Sequence, residues 1–284
     1  MKIKVAQHSG FCFGVKRAIQ IALKTAQQNK KVATFGPIIH NPQMVSYLKK
    51  QGIGSIDDID EITDETIIIR SHGITSDDYE KLLNKNVKLV DATCPFVKLA
   101  QEYAQKLTKE DFQLIVLGEE NHPEVEALLS YVDDSAIVVE NPGEHFDLPK
   151  DKKIGLIAQT TQSEDKFEKL SVKLLRKYKE LYIVNTICHA TLLRQGSTKE
   201  LAHNVDIMIV IGGKNSANTT RLAEIAKTEK CITFHIETAE ELKDEWFKNI
   251  DTVGITAGAS TPEWIINDVK KRIVKIKKIK GKHN

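Results

Sequence analysis

The segment VDIMIVIGGKNSANTTRLAEIAK, residues 205–227, decides the fold class. Its first part, Val205–Ile211, is a short and mainly apolar run of the kind that forms a buried strand. A polar turn with two glycines follows, and from Asn218 to Lys227 the apolar residues recur at helical spacing. A buried strand, a polar turn and an amphipathic helix in this order predict a βα unit with a parallel sheet.

The same pattern recurs along almost the whole chain. Ten further apolar runs alternate with helical patterns, which indicates an α/β fold with mainly parallel sheets. Eleven strands are too many for one small sheet, so several small sheets or one barrel would fit. The other predicted strands are Ile3–Ala6, Val32–Phe35, Thr66–Arg70, Val87–Val90, Phe112–Leu117, Ala136–Glu140, Ile154–Ala158, Tyr182–Val184, Cys231–Ile236 and Thr252–Thr256.

Length and composition exclude several classes of protein. With 284 residues, 41% of them hydrophobic, the chain is not disordered as a whole. No apolar run reaches the roughly 18 residues of a membrane span, and the N-terminus lacks the apolar core of a secretory signal. The net charge of +2 combines +8 on residues 270–284 with −6 on residues 1–269.

The cysteines indicate both a compartment and a domain organisation. Four cysteines are spread through a chain without an export signal, which favours reduced thiols in the cytoplasm. Cys12, Cys94 and Cys188 each follow an apolar run and precede a helical pattern, at separations of 82 and 94 residues. This weak repeat predicts three α/β modules. Their predicted boundaries are 13–94, 95–188 and 189–280, with an N-terminal strand at 1–12 joined to the third module.

Three thiols at helix N-termini point to metal chemistry, because the helix dipole favours the thiolate. They could bind Zn²⁺ or an iron–sulfur cluster. Structural zinc sites usually have four ligands, some in close pairs, and these cysteines show neither feature. Three cysteines on a four-iron cluster would leave one iron open to act as a Lewis acid and electron donor. Cys231 lies in a strand pattern and is predicted to be a core residue.

Polar motifs at the ends of the predicted strands indicate a common binding site, since ligands of α/β sheets bind at the carboxyl ends of the strands. His40, His72 and His122 all lie in such motifs. The turns at 212–218 and 257–262 combine glycine, hydroxyl groups and a helix N-terminus, which suits phosphate oxygens. No Walker loop or GxGxxG is present, so a small phosphorylated molecule is favoured over a nucleotide.

Glu124 is the one carboxylate within the three histidine motifs. It follows Pro123 at a predicted helix start, where an acid also simply complements the helix dipole. In a closed cavity it could deliver a proton to a leaving oxygen.

Several of these motifs together resemble the 4-hydroxy-3-methylbut-2-enyl diphosphate reductase family. The resemblance runs from about residue 3 to residue 270 and rests on many motifs in the same order. The motifs are Gly10-Phe11-Cys12-Phe13-Gly14-Val15-Lys16-Arg17-Ala18, Asp91-Ala92-Thr93-Cys94-Pro95, His122-Pro123-Glu124-Val125, Gln159-Thr160-Thr161, Thr186-Ile187-Cys188, Lys214-Asn215-Ser216 and Thr256-Ala257-Gly258-Ala259-Ser260.

The resemblance implies a fold, a cofactor and a set of site residues. The fold is three α/β modules arranged like a trefoil around a central cavity, and the cofactor is one 4Fe-4S cluster per chain. The cluster ligands are implied to be Cys12, Cys94 and Cys188, and Glu124 the proton donor. Residues implied to bind the diphosphate or line its pocket are His40, His72, His122, Thr160, Ser216, Ala217, Asn218 and Ser260. At Ala217 many members carry a second serine, so one hydroxyl is absent here.

The implied reaction is the reductive removal of an allylic hydroxyl, which yields isopentenyl and dimethylallyl diphosphate in the last step of the non-mevalonate pathway. The implied partners are the allylic diphosphate and a small electron-transfer protein of the ferredoxin or flavodoxin type, with no membrane. An alternative is a metal- or cluster-binding sensor without catalysis. The basic C-terminal residues could bind nucleic acid, but they are more typical of the end of an amphipathic helix or of a solvated extension.

Overall fold

A computed structural model describes residues 1–63, 66–132 and 136–280, with the side chains described as far as residue 277. In these ranges the twelve strands are β1 (Lys2–Val5), β2 (Val32–Phe35), β3 (Ile53–Ile56), β4 (Thr66–Ile69), β5 (Lys88–Asp91), β6 (Gln113–Leu117), β7 (Ile137–Val139), β8 (Ile154–Ala158), β9 (Leu181–Ile183), β10 (Ile207–Ile211), β11 (Ile232–Ile236) and β12 (Thr252–Ala257). The α-helices are α1 (Phe13–Gln28), α2 (Pro42–Lys50), α3 (Ser76–Asn84), α4 (Pro95–Lys109), α5 (Pro123–Leu129), α6 (Glu164–Lys177), α7 (His189–Ala202), α8 (Ala217–Thr228) and α9 (Glu263–Lys280).

The strands form three parallel, four-stranded sheets, which confirms the predicted α/β fold of three small modules. The strand orders are β3-β2-β4-β5, β7-β6-β8-β9 and β11-β10-β12-β1. The three orders share one scheme, because the edge strands β3, β7 and β11 each pair with the inner strand that precedes them along the chain. In the third sheet the last place is taken by β1, which pairs with β12 in parallel register from Lys2 opposite Thr252 to Val5 opposite Ile255.

The helices owe their positions to apolar faces that cover these sheets. In α4, Pro95 occupies the first turn, where its missing N–H costs nothing, and Val97, Ala100, Ala104 and Leu107 are buried. Their spacing places all four on one face. In α8 the buried Leu222 and Ala223 pack on Val210 of β10 in the same way. Side chains buried on both faces of β10 explain why its sequence is a continuous apolar run.

The chain divides into two compact units. The first unit comprises Met1–Val15, His40–Met44 and His189–Asn284, and the second comprises Lys16–Ile39 and Val45–Cys188. The sheet that contains β1 belongs to the first unit, and the other two sheets belong to the second. Within the described ranges, no helix has the length and apolar character needed to cross a membrane.

Two local predictions differ from the structure. The strand β3 was not predicted, because its Gly54 and Ser55 interrupt the apolar pattern. Cys231 precedes β11 rather than lying in it, and it is half-buried beside the carbonyl of Val205. The basic segment continues α9 as far as Lys280, as the amphipathic pattern predicted, and residues 281–284 lie outside the described residues.

Candidate active site

The candidate site residues follow the central strands of the three sheets. Each sheet has two inner strands, and in the first two sheets the chain continues from each of them toward a different edge of the sheet. The gap between the carboxyl ends of two such strands is where α/β proteins bind ligands. His40 and His72 follow β2 and β4, and His122 and Thr160 follow β6 and β8. Ser216 and Ser260 follow β10 and β12 in the same manner. The prediction from strand ends therefore selected equivalent positions of a threefold repeat.

The three cysteines repeat in the same way, one after the outer strand of each sheet. Cys12 follows β1, Cys94 follows β5 and Cys188 follows β9. Each backbone N–H donates to a carbonyl in the turn after the neighbouring strand. The N···O distances are 3.2 Å from Cys12 to Ala259, 2.9 Å from Cys94 to Ser71 and 3.0 Å from Cys188 to Thr160. Each cysteine is thus held beside a turn that carries a candidate substrate residue.

All three thiols lie at helix N-termini, as the sequence predicted. Cys94 is the N-cap residue of α4, while Cys12 and Cys188 directly precede α1 and α7. The thiols are reduced and half-buried, and the Cys12 sulfur accepts a hydrogen bond from the Val15 N–H at 3.4 Å. Thiols at helix N-termini are typical of cysteines that bind metals. Cys231 differs, because burial raises the pKa of its thiol.

The donor set suits an iron–sulfur cluster, which takes cysteine thiolates as ligands. Across 1–63, 66–132 and 136–280, no three side chains of the types His, Cys, Asp and Glu form a ready-made metal site. The position of each thiol at a helix N-terminus is therefore what makes these cysteines suitable ligands.

Glu124 is a buried acid of the second unit. It is 2% exposed, and burial raises its pKa to about 6. Thr160 opposes this rise through two hydrogen bonds, from its N–H to Oε1 at 2.6 Å and from its hydroxyl to Oε2 at 2.8 Å. The charge of Glu119 adds a smaller upward shift of the pKa. Glu124 is therefore half-protonated at about pH 6 and about one-tenth protonated at pH 7, within the range in which a carboxyl group can donate a proton.

His122 fixes the start of the helix that carries Glu124. Its Nδ1 accepts the backbone N–H of Glu124 at 3.1 Å, so the ring proton of the neutral form lies on Nε2. The ring of His72 stands edge-on to that of His122, with centroids 5.6 Å apart. The neighbouring Ser71 donates both its N–H and its hydroxyl to the carbonyl of Ile38. His72, His122, Glu124 and Thr160 thus form a tightly braced group.

In the first unit the polar groups gather at the N-terminus of α8. Ser216 is the N-cap residue and accepts the N–H of Thr219 at 3.4 Å. Asn218 is 5% exposed, and neither its Oδ1 nor its Nδ2 has a hydrogen-bond partner within the described part of the chain. A buried amide without partners costs about 1–3 kcal/mol, so this side chain is placed to bind a ligand. Ala217 contributes its N–H but no hydroxyl.

The turns after β10 and β12 pack against the His40 segment. The Ser260 hydroxyl donates to the carbonyl of His40 at 3.1 Å. A Cβ on Gly213 would lie 3.0 Å from the same oxygen, so this position suits only glycine. The ammonium group of Lys214 is 2.7 Å from Glu241, so its positive charge is paired with a carboxylate. Neutral hydrogen-bond donors at a helix N-terminus therefore predominate here, an arrangement that suits an anion.

The sequence patterns did not identify two residues that make clear contacts beside the site. Arg194 is 4% exposed and donates from Nη2 to the carbonyl of Gly10 at 2.8 Å and from Nη1 to that of Ala190 at 2.9 Å. It braces the segment that leads into Cys12. Gln159 accepts the Glu119 N–H and donates to the Thr161 hydroxyl, both at 3.0 Å. Its position next to Thr160 in the Gln159-Thr160-Thr161 motif could have indicated this role.

Comparisons with known proteins agree with this arrangement. A family model described as LytB protein matches residues 3–274. The 4-hydroxy-3-methylbut-2-enyl diphosphate reductase of Geobacter metallireducens is 49% identical over 276 residues, which cover 97% of this chain and 98% of the relative. The corresponding reductase of Trichlorobacter lovleyi is 48% identical over 273 residues, 96% of this chain and 98% of the relative.

Solved structures give the same result. One is described as (E)-4-hydroxy-3-methyl-but-2-enyl diphosphate reductase, the terminal enzyme of the non-mevalonate pathway. It is 47% identical, with a TM-score of 0.69 over 96% of this chain and 99% of the other. The E-1-hydroxy-2-methyl-but-2-enyl-4-diphosphate reductase of Plasmodium falciparum is 28% identical, with a TM-score of 0.90 over 96% of this chain and 86% of the other.

Proposed function

The chain belongs to the LytB protein family, and from this membership we propose how its own residues carry out the reaction. It is an oxidoreductase that reduces 4-hydroxy-3-methylbut-2-enyl diphosphate in the terminal step of the non-mevalonate route to isoprenoids. We propose that the allylic C–O bond breaks and a C–H bond forms, at the expense of two electrons and two protons. The products are water and either isopentenyl or dimethylallyl diphosphate.

We propose that Cys12, Cys94 and Cys188 bind one 4Fe-4S cluster. Their support is chemical, since all three are reduced thiols at helix N-termini that favour the thiolate. When bound, the cluster would supply electrons and, at the iron without a protein ligand, a Lewis acid. The half-buried thiols also support our proposal of a reducing, cytoplasmic compartment. The boundaries 13–94, 95–188 and 189–280 remain our proposed module limits.

We propose that the diphosphate is bound mainly by the N-terminus of α8. Its support is the unpartnered amide of Asn218, which can donate to a phosphate oxygen, together with the Ser216 hydroxyl. Ser260 and His40 contribute from the adjoining turns, and Ala217 contributes its backbone N–H. His72 and His122 donate from ring N–H groups, with stronger hydrogen bonds when protonated.

Glu124 is the proposed proton donor, and its environment is the observation that carries the mechanism. A carboxyl group that is buried, has a pKa of about 6 and is bound by Thr160 can hold a proton near neutral pH and release it. The proton would pass through the Thr160 hydroxyl, which both donates and accepts hydrogen bonds. Its transfer lets the allylic oxygen leave as water rather than as hydroxide.

Anaerobic purification followed by iron and sulfide analysis tests this proposal. We expect about four irons and four sulfides per chain, and a change in the cluster spectrum when the allylic diphosphate is added. Such a change would link the metal and the substrate to one site. A single zinc per chain, or a spectrum that ignores the substrate, contradicts the proposal.

A further inference from the structure

The reaction consumes electrons from outside the protein, and one basic segment of the surface begins directly after Cys12. Residues 13–31 contain Lys16, Arg17, Lys24, Lys30 and Lys31 and no acid, in a chain with 41 basic and 39 acidic residues. Most of this segment is α1, which begins at the residue after Cys12. A local excess of five positive charges on one segment creates a field that attracts acidic partners.

The exposed side chains of α1 lie in a single stripe. Phe13, Lys16, Gln20 and Lys24 are all exposed, and their separations of three and four residues place them on one helix face. Phe13 is 63% exposed although it is a large aromatic residue. Among the described residues, Lys16 and Lys24 take part in no ion pair. We call Phe13, Lys16, Gln20 and Lys24 the α1 stripe.

This composition is that of a protein-binding surface. An exposed aromatic residue flanked by cations combines an apolar anchor with electrostatic steering. The α1 stripe is about 17 Å long, at 1.5 Å per residue, which fits within a patch of about 800 Å² on one partner. Its aromatic end adjoins Cys12, a proposed cluster ligand.

We propose that the α1 stripe is the docking surface for the small acidic electron-transfer protein that reduces this enzyme. The inference rests on the proposed function, because it needs a reaction that takes up electrons. Acidic residues of the carrier would face Lys16 and Lys24, and an apolar part of the carrier would pack on Phe13 at the end of the stripe beside Cys12. A carrier of one electron would have to dock twice in each turnover, because the reaction takes up two electrons.

The second basic region of the chain, on α9, is a rival for this role. A Cβ on Gly10 would lie 3.1 Å from Ile266, so the segment before Cys12 adjoins the beginning of α9. Lys275 and Lys277 lie nine or more residues further along, about 14 Å or more from Ile266 on the helix axis. Both are exposed. Phe13 and Lys16 lie within four residues of Cys12, which favours α1 and makes α9 a matched control.

The test compares an acidic ferredoxin with two chemical reductants of opposite charge, dithionite and reduced methyl viologen. In the double variant Lys16→Glu and Lys24→Glu we expect the KM for ferredoxin to rise about tenfold or more, with a weaker dependence on salt. Turnover with both chemical reductants should stay within about twofold, because only docking is lost. Phe13→Ala should raise the same KM, with iron content measured to show that the cluster is retained.

The control is the double variant Lys275→Glu and Lys277→Glu, which makes the same change of charge on α9. It should leave the KM for ferredoxin unchanged. An unchanged KM in the α1 variant, or an equal rise in the α9 variant, overturns the proposal. So does binding of RNA, anionic vesicles or a second copy of the chain that depends on Lys16 and Lys24 while the KM stays constant. Failure of native protein to turn over with either chemical reductant would instead contradict the proposed function.

Discussion

In the second unit the polar side chains of the candidate site are already bound to one another, whereas in the first unit Asn218 is buried with neither amide atom paired. Thr160 donates twice to Glu124, and His122 accepts the Glu124 N–H. Asn218 lies in the first turn of α8, two residues after the N-cap Ser216, and its amide group makes no hydrogen bond to the described residues. The acid group is complete without a ligand, and the anion-binding group is not.

This difference follows from what each group must do. A proton donor works best when its hydrogen bonds are set in advance, since no reorganisation is then needed during the reaction. A group that binds an anion must keep donors available, and a buried unpaired amide costs about 1–3 kcal/mol until the ligand arrives. We expect the second unit to control kcat and the first unit to control substrate affinity.

The largest expected effect is the loss of turnover in Glu124→Gln. The amide keeps the shape of the side chain but cannot release a proton, so kcat should fall by about 10²–10⁴-fold. Cluster absorbance should remain, because Glu124 is not among the proposed ligands. Steady-state kinetics with dithionite and the visible spectrum of the same sample measure both. Full activity would remove Glu124 from the mechanism.

A smaller effect, on affinity alone, is expected for Asn218→Ala. Loss of a hydrogen bond to a charged group costs about 1.5–3 kcal/mol, so the KM for the allylic diphosphate should rise about 10–100-fold while kcat changes little. The free protein should be no less stable, because an unpaired amide is removed. Asn215→Ala, at an exposed position of the same turn, is the control. A large fall in kcat with constant KM would erase the distinction between the two units.

The raised pKa of Glu124 also predicts how stability depends on pH. Both states are protonated below pH 4.5. Between pH 4.5 and about 6 the unfolded chain ionises first, so the native protein loses stability. The loss is about 2 kcal/mol and is complete above the folded-state pKa. Glu124→Gln lacks this dependence. Urea unfolding should therefore show that the free energy of unfolding of the variant, relative to that of the native protein, rises by about 2 kcal/mol from pH 4.5 to pH 7.5.

Thr160→Val should lower kcat, because it removes the hydroxyl of the proposed proton path, and should shift the pH profile of the remaining activity by about one unit or less. The variant keeps the backbone N–H bond to Glu124 but loses the hydroxyl bond, which stabilises the carboxylate and lowers its pKa. The pKa of Glu124 then rises further, and the fall in kcat with increasing pH moves to higher pH. Profiles of kcat from pH 5 to pH 9 would reveal the shift. Movement toward lower pH would show that Thr160 does not stabilise the charged form.

The two units also differ in how far the sequence predicts them. Periodicity was sufficient for the apolar strands, since β10 is buried on both faces. It missed β3, where two of four residues are Gly54 and Ser55. The strand-end rule located His72 and Ser216 because it depends only on local order along the chain. It could not show that Arg194 binds the carbonyl of Gly10, 184 residues away, because no local pattern records such a contact.

Ala217→Ser is the smallest change that sharpens the comparison. Residue 217 is the first of α8, where an added hydroxyl can donate to a bound anion beside Ser216 and Asn218. One extra hydrogen bond contributes about 0.5–1.5 kcal/mol, so the KM for the allylic diphosphate should fall by about two- to tenfold at constant kcat. Competition by inorganic diphosphate should strengthen to the same degree. In the Asn218→Ala background the gain should become smaller without vanishing, because residues 217 and 218 would both donate to one ligand. A change in kcat would mean that α8 also acts on the reacting end of the substrate.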